Sequence, residues 1–91
     1  MLLNHHGMYA VGTDVAEAVF VATHLTQACE VQVRTLSMAG GDLSKVLLAD
    51  GDLLSRQYRD MMDSPDYAYD GSREWPGFVR RVERQAPDYN T

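Results

Sequence analysis

Positive charge is scarce in this chain, and so are cysteine and long apolar runs. Eight lysines and arginines stand against 13 acidic residues, for a formal net charge of −5 over 91 residues. The arginines are mixed with acids, so no basic stripe forms of the kind that nucleic acid binding needs. A lone cysteine, Cys29, cannot make an internal disulfide and suits a reducing compartment. The most apolar stretch, Val15 to Leu25, holds Glu17 and His24 and is too short to span a bilayer. The N-terminus lacks the basic segment and long apolar core of a signal peptide. These absences point away from nucleic acid and membrane partners and toward a cytoplasmic protein. The hydrophobic share, 45%, is that of an ordinary globular chain, so wholesale disorder is not expected. The length allows one small domain, which at this size buries only about 60–65% of its unfolded surface.

Two short apolar runs, Leu2-Leu3 and Met8 to Val11, flank His5, His6 and Gly7. They read as strand, tight turn and second strand. Asp14 then fits a helix N-cap, with Glu17 three residues on to reach back toward the cap. Val15, Ala18, Val19, Ala22, Leu25 or Thr26, Cys29, Val33 and Leu36 recur at helical spacing, and Gly40-Gly41 is the first strong stop. The spacing predicts a helix over Val15 to Met38, about 36 Å long at 1.5 Å per residue. Val19 and Ala22 are expected inside, and a helix of this length needs more protein to pack against than the remaining residues provide.

Asp42 to Asp52 reads as a loop with one helical turn. Asp52 is expected to cap a second helix through Leu53, Leu54, Gln57, Tyr58 and Met61, ending near Met62, with Ser64-Pro65-Asp66 as its break. Asp63 to Gly71 reads as an acidic surface linker carrying Tyr67 and Tyr69. A third helix, capped by Ser72 or Asp70, sets Trp75, Phe78, Val79, Val82 and Ala86 in one apolar stripe. Pro76 is tolerable in its first turn, Pro87 ends it, and Asp88 to Thr91 is a tail.

The opening residues resemble a family signature. In class II aldolase/adducin proteins a segment like L-L-x-N-H-G is followed by a glycine and then Glu-Ala at fixed spacing, which here are Leu2-Leu3-Asn4-His5-His6-Gly7, Gly12 and Glu17-Ala18. The family's Asn before the histidine is replaced by His5. The ending Glu74-Trp75-Pro76, Arg80-Arg81-Val82-Glu83-Arg84 and Pro87-Asp88-Tyr89 also looks like the family's ending, and Ala28 to Gln32 looks like its long helix. The resemblance implies an α/β fold, the C-terminal portion of a class II aldolase/adducin-like layered domain. Residues 1–91 are then a single partial domain: a short N-terminal β-hairpin followed by about three helices, mostly helical by content.

The resemblance also implies chemistry. In the family the histidine before Gly ligates a catalytic divalent metal, and here that is His6. Three histidines bind the metal there, leaving room for substrate oxygens, and the metal acts as a Lewis acid toward an enediolate. Neutral imidazole suits zinc, the expected ion, but zinc needs three or four ligands. The family's other two histidines and its acid/base carboxylate lie upstream of this motif, so metal is expected only if another segment or chain supplies the remaining ligands. His5, next to His6, would face the opposite side of a strand and reads as a surface or supporting residue. His24, mid-helix, reads as packing or local hydrogen bonding. Cys29 reads as a small core residue. The resemblance makes Tyr89 a catalytic candidate, because in sugar-phosphate aldolases of the family a tyrosine near the C-terminus, from a neighbouring subunit, can move a proton. Gly40-Gly41 lacks the preceding strand and following Lys-Ser/Thr of a phosphate loop, and Gly7 to Gly12 lacks dinucleotide spacing.

The functional expectation is therefore part or remnant of a metal-dependent lyase or aldolase acting on small hydroxy-carbonyl compounds, inactive as an isolated chain. The alternative is a non-catalytic adducin-like interaction or oligomerisation module without the full metal site. Either way the expected partner is a second chain supplying the missing half, or further copies in a homo-oligomer.

Overall fold

A computed structural model describes residues 1–64 and 70–90. The expected break at Pro65-Asp66, the linker tyrosines Tyr67 and Tyr69, and Thr91 of the tail lie outside the described residues. The chain forms two compact units. One comprises Met1–Thr23 with Ala68–Thr91, the other His24–Tyr67.

The first unit opens on a two-stranded antiparallel hairpin, β1 (Leu2–Leu3) and β2 (Gly7–Met8), with Leu2 opposite Met8 and Leu3 opposite Gly7. The first residue extends the pairing: the Met1 ammonium donates to the Tyr9 carbonyl at 2.8 Å, and the Tyr9 N–H donates to the Met1 carbonyl at 2.8 Å.

Helix α1 (Val15–Met38) has the bounds that the apolar spacing predicts, and the unit boundary falls within it. The Glu17 N–H donates to Asp14 Oδ1 at 2.8 Å, as an N-cap requires. Glu17 reaches back one residue further than expected: its Oε2 accepts from the Thr13 backbone N–H and, at 2.7 Å, from the Thr13 hydroxyl. At the other end the Gly41 N–H donates to the Leu36 carbonyl at 2.8 Å and the Gly40 N–H to the Ser37 carbonyl at 3.1 Å. This is the paired closure in which the first residue past the cap is left-handed. Gly40, with φ +64, fills that place without the steric penalty a Cβ brings.

In the second unit, Asp42 caps a single 3-10 turn over Leu43–Lys45, accepting from the Ser44 N–H at 3.0 Å and the Ser44 hydroxyl at 2.7 Å. Helix α2 (Gly51–Asp63) begins earlier than expected. Its cap is Asp50, whose Oδ1 accepts from the Asp52 N–H at 2.8 Å, while Asp52 sits in the first turn. Either aspartate could serve by residue type. The extended backbone at Asp50 (ψ 134) turns its carboxylate onto the first free N–H groups.

Helix α3 (Trp75–Gln85) returns to the first unit. Neither expected cap closes it. Glu74 occupies the cap position without a side-chain hydrogen bond. Asp70 instead accepts from the Ser72 N–H at 2.9 Å and shapes the turn ahead of the helix. Pro76 lies within the first turn, where its missing N–H costs nothing, and Ala86 caps the end.

Burial corrects a further expectation. Among the described residues no hydrophobic side chain is fully buried. Val19 and Ala22 on α1 are half-buried rather than inside, as are Phe20, Leu25, Trp75, Phe78 and Val79. Among the described residues the buried position is Gly71, set against the Ala16 carbonyl and the Phe20 side chain. Large apolar side chains are exposed in both units, from Leu2 and Tyr9 to Leu47, Leu48, Leu54, Tyr58 and Met62. Among the described residues no helix is long and apolar enough to cross a membrane.

Candidate metal-ligand turn

The hairpin presents His6. Three residues, Asn4, His5 and His6, link β1 to β2, and the His6 N–H donates to the Leu3 carbonyl at 3.3 Å to close the turn. His5 takes the left-handed conformation with φ +62. A left-handed residue is uncommon outside glycine, and Asn, Asp and His are the types that tolerate it best. The strand alternation expected to separate His5 from His6 does not apply, since both lie in the turn rather than on a strand.

The His6 imidazole is exposed, and its Nδ1 lies 3.0 Å from the Asn4 carbonyl oxygen. A carbonyl only accepts, so Nδ1 is the donor of this hydrogen bond and Nε2 is the ring nitrogen that it leaves for another partner. That is the arrangement in which a histidine serves as a ligand: one ring nitrogen is anchored by a donated hydrogen bond and the other is left for the ion. The Asn4 carbonyl is a participant that residue types alone did not single out, because its role follows from backbone geometry.

The glycine and Glu-Ala of the motif have a mechanical role. A Cβ at Gly12 would come within 2.6 Å of the Ala18 nitrogen and 2.8 Å of the Glu17 Cβ, so the chain can cross the start of α1 only as glycine. The two hydrogen bonds from Thr13, chiefly the backbone one, hold the Glu17 carboxyl below its ordinary value. The segment from Leu2 to Ala18 is thus a hairpin tied to a helix start, with His6 at its tip.

The other candidates are not gathered around that tip. Tyr89 is exposed and lines a hollow with α3 whose walls do not include His6. Its backbone N–H donates to the Ala86 carbonyl at 3.1 Å. Cys29 is half-buried on α1 and His24 is exposed on the same helix, both in the second unit. Among the described residues no group of three or more His, Cys, Asp or Glu side chains is placed to hold a metal ion. His6 fits the part of one ligand; the described residues do not make up a complete donor set.

The comparisons with known proteins bear on the same segment. The family described as "Class II Aldolase and Adducin N-terminal domain" matches residues 1–33, which include the His6 turn, Gly12 and the capped start of α1. Alpha-adducin of Rattus norvegicus is 47% identical over 51 residues, 56% of this chain and 7% of that protein. Beta-adducin of Rattus norvegicus is 50% identical over 48 residues, 53% of this chain and again 7% of that protein. A putative aldolase class 2 protein of Pseudomonas aeruginosa is 28% identical over 92 aligned positions, which cover 98% of this chain and 34% of that protein. The chain thus spans about a third of the length of that relative and a far smaller share of the adducins. No solved structure matches.

Proposed function

From its membership of the class II aldolase and adducin family, to which this chain belongs, we propose that it is part of a divalent-metal lyase or aldolase acting on small hydroxy-carbonyl compounds of the sugar-phosphate type. Residues 1–91 are one partial domain of that enzyme, its C-terminal portion. His6 supplies one metal ligand through Nε2, zinc is the expected ion, and the remaining ligands and the acid/base carboxylate come from a second polypeptide, another segment or another copy. Tyr89 is the candidate for proton transfer. The observation that carries the reading is the exposed His6 imidazole with its Nδ1 anchored 3.0 Å from the Asn4 carbonyl, inside the segment that matches the family. The lone Cys29 supports a cytoplasmic setting.

The test is a chimaera in which this chain replaces the corresponding segment of a class II aldolase. The expected result is a metal-loaded protein with retro-aldol activity, losing both on His6→Ala. A chimaera that holds its metal equally well with alanine at position 6 refutes the ligand assignment.

One observation favours a second reading. Local identity reaches 47–50% with the adducins against 28% with the putative aldolase, although over about half the chain rather than nearly all of it. On that reading the chain is a non-catalytic, adducin-like interaction or oligomerisation module. A chimaera that folds and associates but shows no metal-dependent turnover, with or without His6, supports it.

A further inference from the structure

The apolar stripe of α3 does not close into a core; it forms the wall of an open hollow. Trp75, Phe78, Val79 and Val82 line it from the helix, Val19 from α1, and Tyr89 from the turn that follows α3. All of these belong to the first unit. The cavity volume is about 520 Å³, within the roughly 300–1,000 Å³ range of sites that take small organic ligands.

Two polar side chains line the same hollow, Arg81 and Gln85. They stand four residues apart on α3, so they share one edge of it. Among the described residues neither has a hydrogen-bond or ion-pair partner. A guanidinium fork without a carboxylate, beside aromatic and valine walls, is matched by a molecule with an apolar body and one acidic end. We infer that this hollow binds an amphipathic carboxylate, an aryl or alicyclic body seated between Trp75, Phe78 and Val82 with its acid group on Arg81.

Two electrostatic effects oppose an anion here, and both are smaller than the attraction. The carbonyl end of α3 carries about half a negative charge, against a full positive charge on Arg81. The chain's net charge of −5 is spread over its surface and is screened beyond about 8 Å at physiological salt. Locally α3 is cationic, with Arg80, Arg81 and Arg84 against Glu83. The site is independent of the His6 turn, so it stands or falls separately from the lyase reading.

Trp75 is the sole tryptophan, so its emission reports on the hollow directly. The probe is 4-phenylbutyrate, titrated against the full chain beside its uncharged analogue 4-phenylbutyramide. The acid is expected to change Trp75 emission saturably and to bind about tenfold more tightly than the amide. Arg81→Gln should weaken the acid about tenfold and erase its advantage over the amide, and Gln85→Ala should weaken it less. Arg80→Gln, which removes equal charge from outside the lining, should leave the preference intact, and far-ultraviolet circular dichroism confirms that each variant keeps its helices. Equal binding of acid and amide by the unaltered chain, or no saturable change, overturns the inference. So does a probe affinity that falls as protein concentration rises, since that marks a second copy as the occupant.

Discussion

Gly71 offers the sharpest test of how this chain is held together. It is the buried position among the described residues, and its φ of +76 lies in the left-handed region. A Cβ there would sit 2.5 Å from the Ala16 carbonyl oxygen and 2.8 Å from the Phe20 Cβ. Neither is the loose end of a flexible side chain, so the segment before α3 must move away from α1. Gly71→Ala therefore carries two penalties: about 1–2 kcal/mol for the left-handed backbone and about 1–3 kcal/mol for the overpacking. Gly40→Ala isolates the first, because Gly40 has φ +64 and a methyl group added there would meet nothing within 4 Å. A 91-residue domain has roughly 5–14 kcal/mol of stability at about 0.05–0.15 kcal/mol per residue. One with no fully buried apolar side chain among its described residues belongs at the low end. Each kcal/mol is taken as about 5 °C in the melting midpoint, from the roughly 4–8 °C that applies at this size. Thermal melts followed by circular dichroism at one fixed protein concentration should thus show Gly71→Ala losing about 10–25 °C and Gly40→Ala about 5–10 °C. Equal losses would mean that the approach of Gly71 to α1 contributes nothing, and would refute the reasoning.

Three further outcomes are expected. Hydrogen bonds hold the Glu17, Asp42 and Asp70 carboxyls below their ordinary values of 4.5, 3.8 and 3.8. A depressed carboxyl stabilises the fold fully above its unfolded value and loses that contribution as pH falls through its folded one. Stability should hold down to about pH 4.5 and then fall, with Glu17→Gln flattening the upper part of that fall in urea titrations at stepped pH. The isolated chain should bind zinc weakly and show no aldol cleavage of ketose phosphates, since one imidazole cannot chelate an ion; calorimetry giving sub-micromolar, stoichiometric zinc binding lost in His6→Ala would contradict this, as would turnover. Light scattering across a dilution series should show an assembly that dissociates, and a well-folded monomer at every concentration would defeat the claim of an obligate partner.

Local structure was legible in the sequence wherever one residue type does one job. Asp14 and Gly40-Gly41 bracket α1 because a short carboxylate satisfies free N–H groups and glycine tolerates the left-handed exit, and the helix runs between them as Val15–Met38. The caps of α2 and α3 were less legible. Several acids and serines stand near each start, and backbone angles rather than residue identity choose among them. The His6 turn was legible as a turn, but the use of His5 as its left-handed residue and of the Asn4 carbonyl as the anchor of His6 was not. Both depend on the loop length between Leu3 and Gly7 once the strands pair.

Burial was the least legible property. Helical spacing of apolar residues says which side of α1 or α3 wants cover, not whether cover is present. Val19 and Ala22 face as the pattern predicts, yet they are only half-buried. Val31 and Val33 on α1 remain 61% and 64% exposed, and Leu54, Tyr58 and Met62 on α2 are exposed as well. Apolar burial is the main favourable term in folding, at roughly 25 cal/mol per Å². A surface this apolar is therefore stabilised when something covers it, and the hairpin adds open strand edges that a further strand can pair. Among the described residues, the candidate ligand on that hairpin, the anchored His6 imidazole, belongs to no group of three or more metal-binding side chains, and a metal site needs several donors. Among the described residues, the exposed apolar faces, the strand edges and the one candidate ligand are features that the proposed further body of protein would serve together. Addition of that body to a destabilised Gly71→Ala chain should therefore restore helical stability and metal affinity together; recovery of stability without metal affinity would leave the adducin-like reading in place of the lyase.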